Sequence, residues 1–220
     1  KAQSTQWENL VVVVSAMSGV TDTLLGCADA ISECDQETYA RLIEDLRTKH
    51  IQTVNGLIVD PDEKSDLTDS IEQLIHDLDL ICRSAFVLGE MTPRGVDTIS
   101  SFGERINARL FAGLLRQKGL PGQAIDATQL IVTDSNFQNA HPIMEDTRGK
   151  VEQNLVPLLQ QGKIVVVTGF IAANQQGVTM TLGRGGSDYT AAILGYALYA
   201  DEVWTWTDVD GVMSADPRIV

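Results

Sequence analysis

An arginine set among three glycines and followed at once by a serine and an aspartate is the feature of this chain best suited to hold an anion. The run is TLGRGGSD, residues 181–188. Its glycines let the backbone come close to a ligand and present N–H groups to it. Ser187 and Asp188 open a stretch with helical spacing, and the first turn of a helix offers unpaired N–H groups and a positive dipole end. Arg184 adds a planar fork suited to carboxylate or phosphate. The plainer reading is a glycine-rich turn with an ordinary N-cap at Ser187 or Asp188. The arginine inside the loop and a second glycine-bearing loop upstream weigh against it. The run lacks the G-K-[ST] ending of a Walker loop, so this is not a P-loop.

Three further segments could serve the same chemistry. TDVDGVMSADPR, residues 207–218, follows an apolar stretch where a nucleotide could rest on main chain. Asp208 or Asp210 could meet a ribose or a metal, and Arg218 could reach phosphate oxygens; the alternative is an acidic turn with Gly211 at its corner. SAMSGVTD, residues 15–22, is a loop of small residues that a substrate could approach. SFGER, residues 101–105, sets Glu104 beside a glycine, where it could hold an ammonium group. Each of these three is weak alone, because acidic turns, small-residue loops and helix-start glutamates are common.

The elements that must carry these loops follow from periodicity. Residues 10–14 form a valine-rich run and residues 164–168 a second, both reading as buried parallel strands. Short strands are expected at 123–125, 131–132 and 203–207, and one arm of a hairpin at 177–182. Helical spacing covers residues 23–31, 39–57, 66–88, 98–117, 146–161 and 187–199, with Pro61 breaking the pattern between the second and third. The helices within 36–90 read as a lobe beside the sheet, in one domain spanning 1–220. Strands alternating with helices predict an α/β fold with a mainly parallel sheet. In such sheets ligands bind beyond the carboxyl ends of the strands. The loops after Val14, Thr168 and Trp206 are therefore the informative ones.

Composition narrows the class. With 16 Lys and Arg against 30 Asp and Glu, the formal charge is -14, which disfavours nucleic acid and anionic membrane as partners. A phosphorylated small ligand needs only a few local donors, so the charge does not exclude one. Cys27, Cys34 and Cys82 form no C-x-x-C pair and lie near no histidine at ligand spacing, so they read as buried or idle thiols, and no metal site of protein ligands is expected. His50, His76 and His141 are scattered and receive no role. No signal-peptide pattern opens the chain and no apolar run could span a bilayer, which points to the cytoplasm.

Taken together, VVVVSAMSGVTD, SFGER, VVVTGFIA, TLGRGGSDYTAA and WTDVDGVMSADPR resemble, in order, the aspartate kinases of the amino acid kinase family. The resemblance implies a three-layer α/β/α sandwich and transfer of the γ-phosphoryl group of ATP, with Mg²⁺, to the β-carboxylate of L-aspartate. It implies that Thr21, Glu104, Arg184 and Ser187 hold the amino acid, with Glu104 on its ammonium and Arg184 on a carboxylate. Asp188 would organise the transfer centre. Thr207, Asp208, Met213 and Arg218 would contact the nucleotide, with Ser15, Gly185 and Gly186 lining its approach; Met213 stands where many relatives have a tyrosine. A carboxylate nucleophile is already ionised, so the chemistry asks for positioning and cationic compensation rather than a general base.

The chain departs from the family at its start: the K-F-G-G-T-S strand whose lysine contacts the transferring phosphate is not found, and no regulatory ACT domain is found after Val220. The expectation is a catalytic-domain fragment that turns over poorly and, with sheet edges exposed, pairs as a homodimer or aggregates. The competing readings are another kinase of the family, such as an acetylglutamate kinase, and a non-catalytic module that binds amino acid or nucleotide.

Overall fold

The computed structural model describes residues 8–206. In chain order the elements are β1 (Val11–Val14), α1 (Val20–Ser32), α2 (Gln36–Leu57), α3 (Pro61–Leu88), α4 (Pro93–Ser100), α5 (Phe102–Gln117) and β2 (Gly122–Ile125). A 3₁₀ turn (Ala127–Gln129) leads to β3 (Val132–Thr133), α6 (Met144–Asn154), α7 (Val156–Gln160), β4 (Ile164–Thr168), β5 (Ile171–Asn174), β6 (Thr179–Thr181) and α8 (Gly186–Leu198).

The central sheet has the order β1-β4-β2 and is parallel throughout, with Val14 opposite Thr168 and Ile125 opposite Val167. Side-chain alternation layers the molecule. Val12, Val14, Val166 and Ala124 face Ala108, Phe111, Ala112 and Leu115 of α5. Val11, Val13, Val165, Val167 and Ile125 face the opposite way, onto Val151 of α6, Leu159 of α7 and Ile193 and Leu194 of α8. All five residues of β4 are buried, as a strand covered on both faces must be. The result is the expected α/β arrangement, helix on sheet on helix.

A second sheet, β3-β5-β6, pairs β3 with β5 in parallel and β5 with β6 antiparallel. The 177–182 segment is thus one arm of a hairpin whose other arm, β5, follows β4 after a two-residue link. A separate apolar core joins α1, α2, α3, α4 and one side of α5, through Leu24, Ile31, Leu46, Ile71, Leu78, Ile99 and Ile106. Arg116 on α5 clasps Glu63 on α3 through two hydrogen bonds of 2.9 and 2.5 Å, and fastens this helical lobe to the sheet layer.

Several expected boundaries differ, each for a local reason. The helix read at 98–117 is two helices. Thr92 caps α4 by accepting the Gly95 N–H at 3.1 Å, and Pro93 occupies the first helical position, where its missing N–H costs nothing. The break at Ser101 coincides with hydroxyls bonding back to α4: Ser100 Oγ to the Asp97 carbonyl and Ser101 Oγ to the Thr98 carbonyl. The helix read at 146–161 divides at Leu155, because Pro157 has no N–H to carry the ladder on. Pro61 opens α3, with Asp60 accepting the Glu63 N–H, rather than merely separating two helices. The third strand falls on Val132–Thr133, one residue later than read. Residues 203–206 are exposed and form no strand, and residue 207 lies outside the described residues.

Candidate functional site

The carboxyl ends of β1 and β4 lie side by side, and the Gly169 N–H donates to the Val14 carbonyl at 2.8 Å. Everything in the candidate site hangs from this junction. On the β1 side the chain runs out through Ser15 and Ala16, and the first two turns of α5 hold that exit. Glu104 Oε1 accepts the Ala16 N–H at 3.1 Å, and Asn107 Nδ2 donates to the Ser15 carbonyl at 2.7 Å. α5 can approach this closely because residue 103 is glycine: a Cβ there would lie 2.7 Å from that of Ala16.

Glu104 is only 3% exposed, and its second oxygen, Oε2, is buried without a hydrogen-bond partner. Burial pushes its carboxyl up to about 7, and the Ala16 N–H only partly offsets this. A buried acceptor with nothing on it, in a carboxyl poised near neutrality, is suited to a cationic donor.

On the β4 side, Gly169 meets the head of α8. A Cβ at 169 would lie 2.5 Å from Ser187 Oγ and 3.0 Å from Ser187 Cα, so only glycine admits this contact. Phe170 follows with a left-handed backbone, φ 65°, and its N–H donates to Thr190 Oγ1 at 3.1 Å. The glycine loop closes the circuit: the Leu182 N–H donates to the Phe170 carbonyl, and Gly185, at φ 73°, caps α8 without a side-chain bond. The N–H groups of Ser187 and Asp188 have no acceptor among the described residues, while Arg184 and Asp188 are exposed beside them. A helix start of this kind, with a guanidinium next to it, suits an anion.

Three of the four expected segments are therefore brought to this junction: Ser15 of the first loop, Glu104 of SFGER, and the glycine loop with Arg184, Gly185, Gly186, Ser187 and Asp188. Thr21 stands in the first turn of α1, half-buried, and its hydroxyl makes no hydrogen bond among the described residues. Thr207, Asp208, Met213 and Arg218 lie outside the described residues. A cavity of about 330 Å³ at the outer edge of β2, lined by Arg109, Gln123 and Asn154, touches the cluster only through Thr168. Cys27 and Cys82 are buried, with burial pushing both thiols up to about 12, so neither offers a thiolate.

The amino acid kinase family profile matches residues 1–220. This chain belongs to the amino acid kinase family. Within that family it is 31% identical over 210 residues to lysine-sensitive aspartokinase 3 of Escherichia coli, which covers 96% of this chain and 44% of the relative. It is 34% identical over 217 residues to the chloroplastic aspartokinase 1 of Arabidopsis thaliana, covering 96% of this chain and 37% of the relative. Among solved structures it superposes on E. coli aspartokinase III in complex with aspartate and ADP, in the R-state, with a TM-score of 0.86 and 30% identity over 96% of this chain and 45% of that one. The T-state of the same enzyme, with lysine and aspartate, gives 0.82. The chain spans less than half the length of these relatives.

Three residues of the candidate site were not singled out from the sequence. Asn107 sits one turn beyond Glu104, a spacing that places both on one helix face, and this could have been read. Phe170 has no local signal for its left-handed backbone. Asp97 is buried 1% exposed in α4 and accepts both the N–H and the hydroxyl of Thr181, 84 residues away, which no local pattern reveals.

Proposed function

We propose that this chain is the catalytic core of an ATP-dependent aspartate kinase, moving the γ-phosphoryl group of ATP to the β-carboxylate of L-aspartate. The observation that carries the reading is the unpartnered, buried Glu104 Oε2 at the same sheet edge as the Arg184–Asp188 loop. The first answers an α-ammonium and the second a carboxylate and phosphate. The aspartate and ADP named in the matched E. coli structure support the same pair of ligands.

In this reading Glu104 and Thr21 hold the amino group end of the substrate, and Arg184 with Ser187 holds carboxylate. A β-carboxylate oxygen forms the new bond to Pγ as the bond from Pγ to the bridging oxygen breaks, and ADP departs with that electron pair. The N–H groups at the head of α8 and Arg184 offset the charge that gathers as two anions meet. Ser15, Gly185, Gly186, Thr207, Asp208, Met213 and Arg218 serve the nucleotide. Among the described residues no three His, Cys, Asp or Glu side chains converge on one point. Mg²⁺ arriving on nucleotide phosphates needs only one or two carboxylates, and exposed Asp188 fits that demand. Mg²⁺ would there neutralise phosphate charge.

The product would enter lysine, threonine and methionine biosynthesis, in the cytoplasm, from a homodimer. Among the described residues no helix is long and apolar enough to cross a membrane. Calorimetry with L-aspartate and with Mg-ADP, beside a coupled assay of ADP release, tests the proposal. Binding of both ligands is expected; absence of aspartate binding would sink it.

A further inference from the structure

Thr181 is the last residue of β6 and the root of the glycine loop, and it is held on every polar atom. Its N–H donates to Asp97 Oδ2 at 3.1 Å, its hydroxyl to Asp97 Oδ1 at 2.9 Å, and its carbonyl accepts the Ala140 N–H at 2.9 Å. Asp97 Oδ2 also accepts the N–H of Gln138, at 3.0 Å, where the backbone is left-handed with φ 67°. Residues 138 and 139 in turn lie against Gly183, since a Cβ there would come within 2.8 Å of Asn139 Oδ1. One carboxylate thus pins both the base of the Arg184 loop and the segment that braces it.

A carboxylate buried without a cation is costly unless hydrogen bonds hold it. Asp97 carries that cost and stands on the element that leads into Glu104. Six residues separate the two, and only Ser101 interrupts the helical path. The Ser101 N–H donates to the Asp97 carbonyl at 3.2 Å, and the Arg105 N–H to the Ser101 carbonyl at 3.3 Å. The α4–α5 unit therefore grips the β1 exit with Glu104 and the glycine loop with Asp97.

We propose that Asp97 is a positioning residue that fixes the spacing between Glu104 and Arg184, and so sets the preference for an α-amino dicarboxylate over a dicarboxylate without the ammonium. This inference rests on the aspartate reading above. Asp97 touches no substrate; it acts through Thr181 and Gln138.

The test compares L-aspartate with succinate by calorimetry on the wild-type chain, Asp97→Ala and Asp97→Asn, well below each melting temperature. Succinate can engage Arg184 but offers Glu104 nothing, so the ratio of affinities reports the spacing and not overall stability. The wild type is expected to favour aspartate by about tenfold or more, the value of a charge-assisted hydrogen bond. Asp97→Ala should bring the ratio below about threefold. Asp97→Asn keeps an oxygen for the two N–H donors and should restore most of it. A ratio unchanged in Asp97→Ala overturns the proposal. If Asp97→Ala does not fold, Thr181→Val removes only the hydroxyl bond and should lower the ratio by about threefold; no change overturns the proposal equally. A wild type blind to the ammonium would refute the aspartate reading itself. Hydrogen exchange then decides the latch: faster exchange at Gln138 and Thr181 in Asp97→Ala, with β4 amides unchanged, sustains it, and unchanged exchange at both refutes it.

Discussion

At Glu104 the chemistry of the site condenses into one carboxyl group with one oxygen engaged and one idle. Replacing it by glutamine keeps the acceptor for the Ala16 N–H and removes the charge. Glu104→Gln should weaken aspartate binding by about ten- to a hundredfold, the range for a hydrogen bond to a charged group, and leave Mg-ADP binding intact; calorimetry reads both. The same residue sets a pH dependence. Its folded value of about 7 lies above the ordinary 4.5, so the stability that it contributes is present at the acid end and is lost as pH rises through about 7. Ligand-free wild type should therefore lose melting temperature relative to Glu104→Gln as pH rises from about 4.5 to about 7, and no further above it. Aspartate should recover more of it above 7 than below, because an ammonium favours the ionised form. Glu104 was legible only through the resemblance, because a glutamate beside a glycine at a helix start is a weak signal alone. Asp97 was not, because a polar residue in an eight-residue helix looks solvated until the strand 84 residues away is placed against it.

Among elements, the link from β4 into β5 against the head of α8 decides whether the site assembles. Gly169→Ala would drive a methyl group to 2.5 Å from Ser187 Oγ and 3.0 Å from Ser187 Cα. Overpacking of this kind costs about 1–3 kcal/mol, and here it pushes apart the two elements that frame the anion site. Urea unfolding should place the variant's midpoint lower, and aspartate affinity should fall with it. An exposed alanine substitution such as Glu145→Ala on α6 should do neither. The strands β1 and β4 were legible because a strand covered on both faces is written as an unbroken apolar run. The breaks at Ser101 and Leu155 and the strand β5 were harder to read. Serine hydroxyls, a proline and a left-handed phenylalanine interrupt patterns whose hydrophobic period continues across them. Residues 203–206 failed in the opposite sense: valine and tryptophan favour strands, but a strand needs a ladder, and Val203 packs instead against Gly195 of α8.

Over the whole molecule, α5 is the part common to two cores. Ile106 and Leu110 pack into the helical lobe, while Ala108 and Ala112 pack onto the sheet. Loss of lobe stability is therefore transmitted to Glu104 at the head of the same helix. The lobe holds a titratable weak point in His50, which is fully buried. Its Nδ1–H donates to the Leu46 carbonyl at 2.7 Å, which leaves Nε2 as a buried acceptor without a partner. Burial holds its value below the ordinary 6.5, with Lys49 adding to the effect, so the folded chain resists a proton that the unfolded chain accepts. The stability this residue contributes is present above 6.5 and is lost as pH falls below it. Glu104 shifts the ligand-free chain the other way over part of the same range, so the raw pH profile of the wild type mixes two opposed effects. Comparison with His50→Leu separates them, because Glu104 is common to both proteins and distant sites add. Urea midpoints measured at about pH 7.5 and about pH 5.5, on either side of free histidine, should fall further for the wild type than for His50→Leu. Equal falls would mean that the imidazole finds a partner or solvent in the folded state, and that the lobe core opens at His50 before the molecule unfolds.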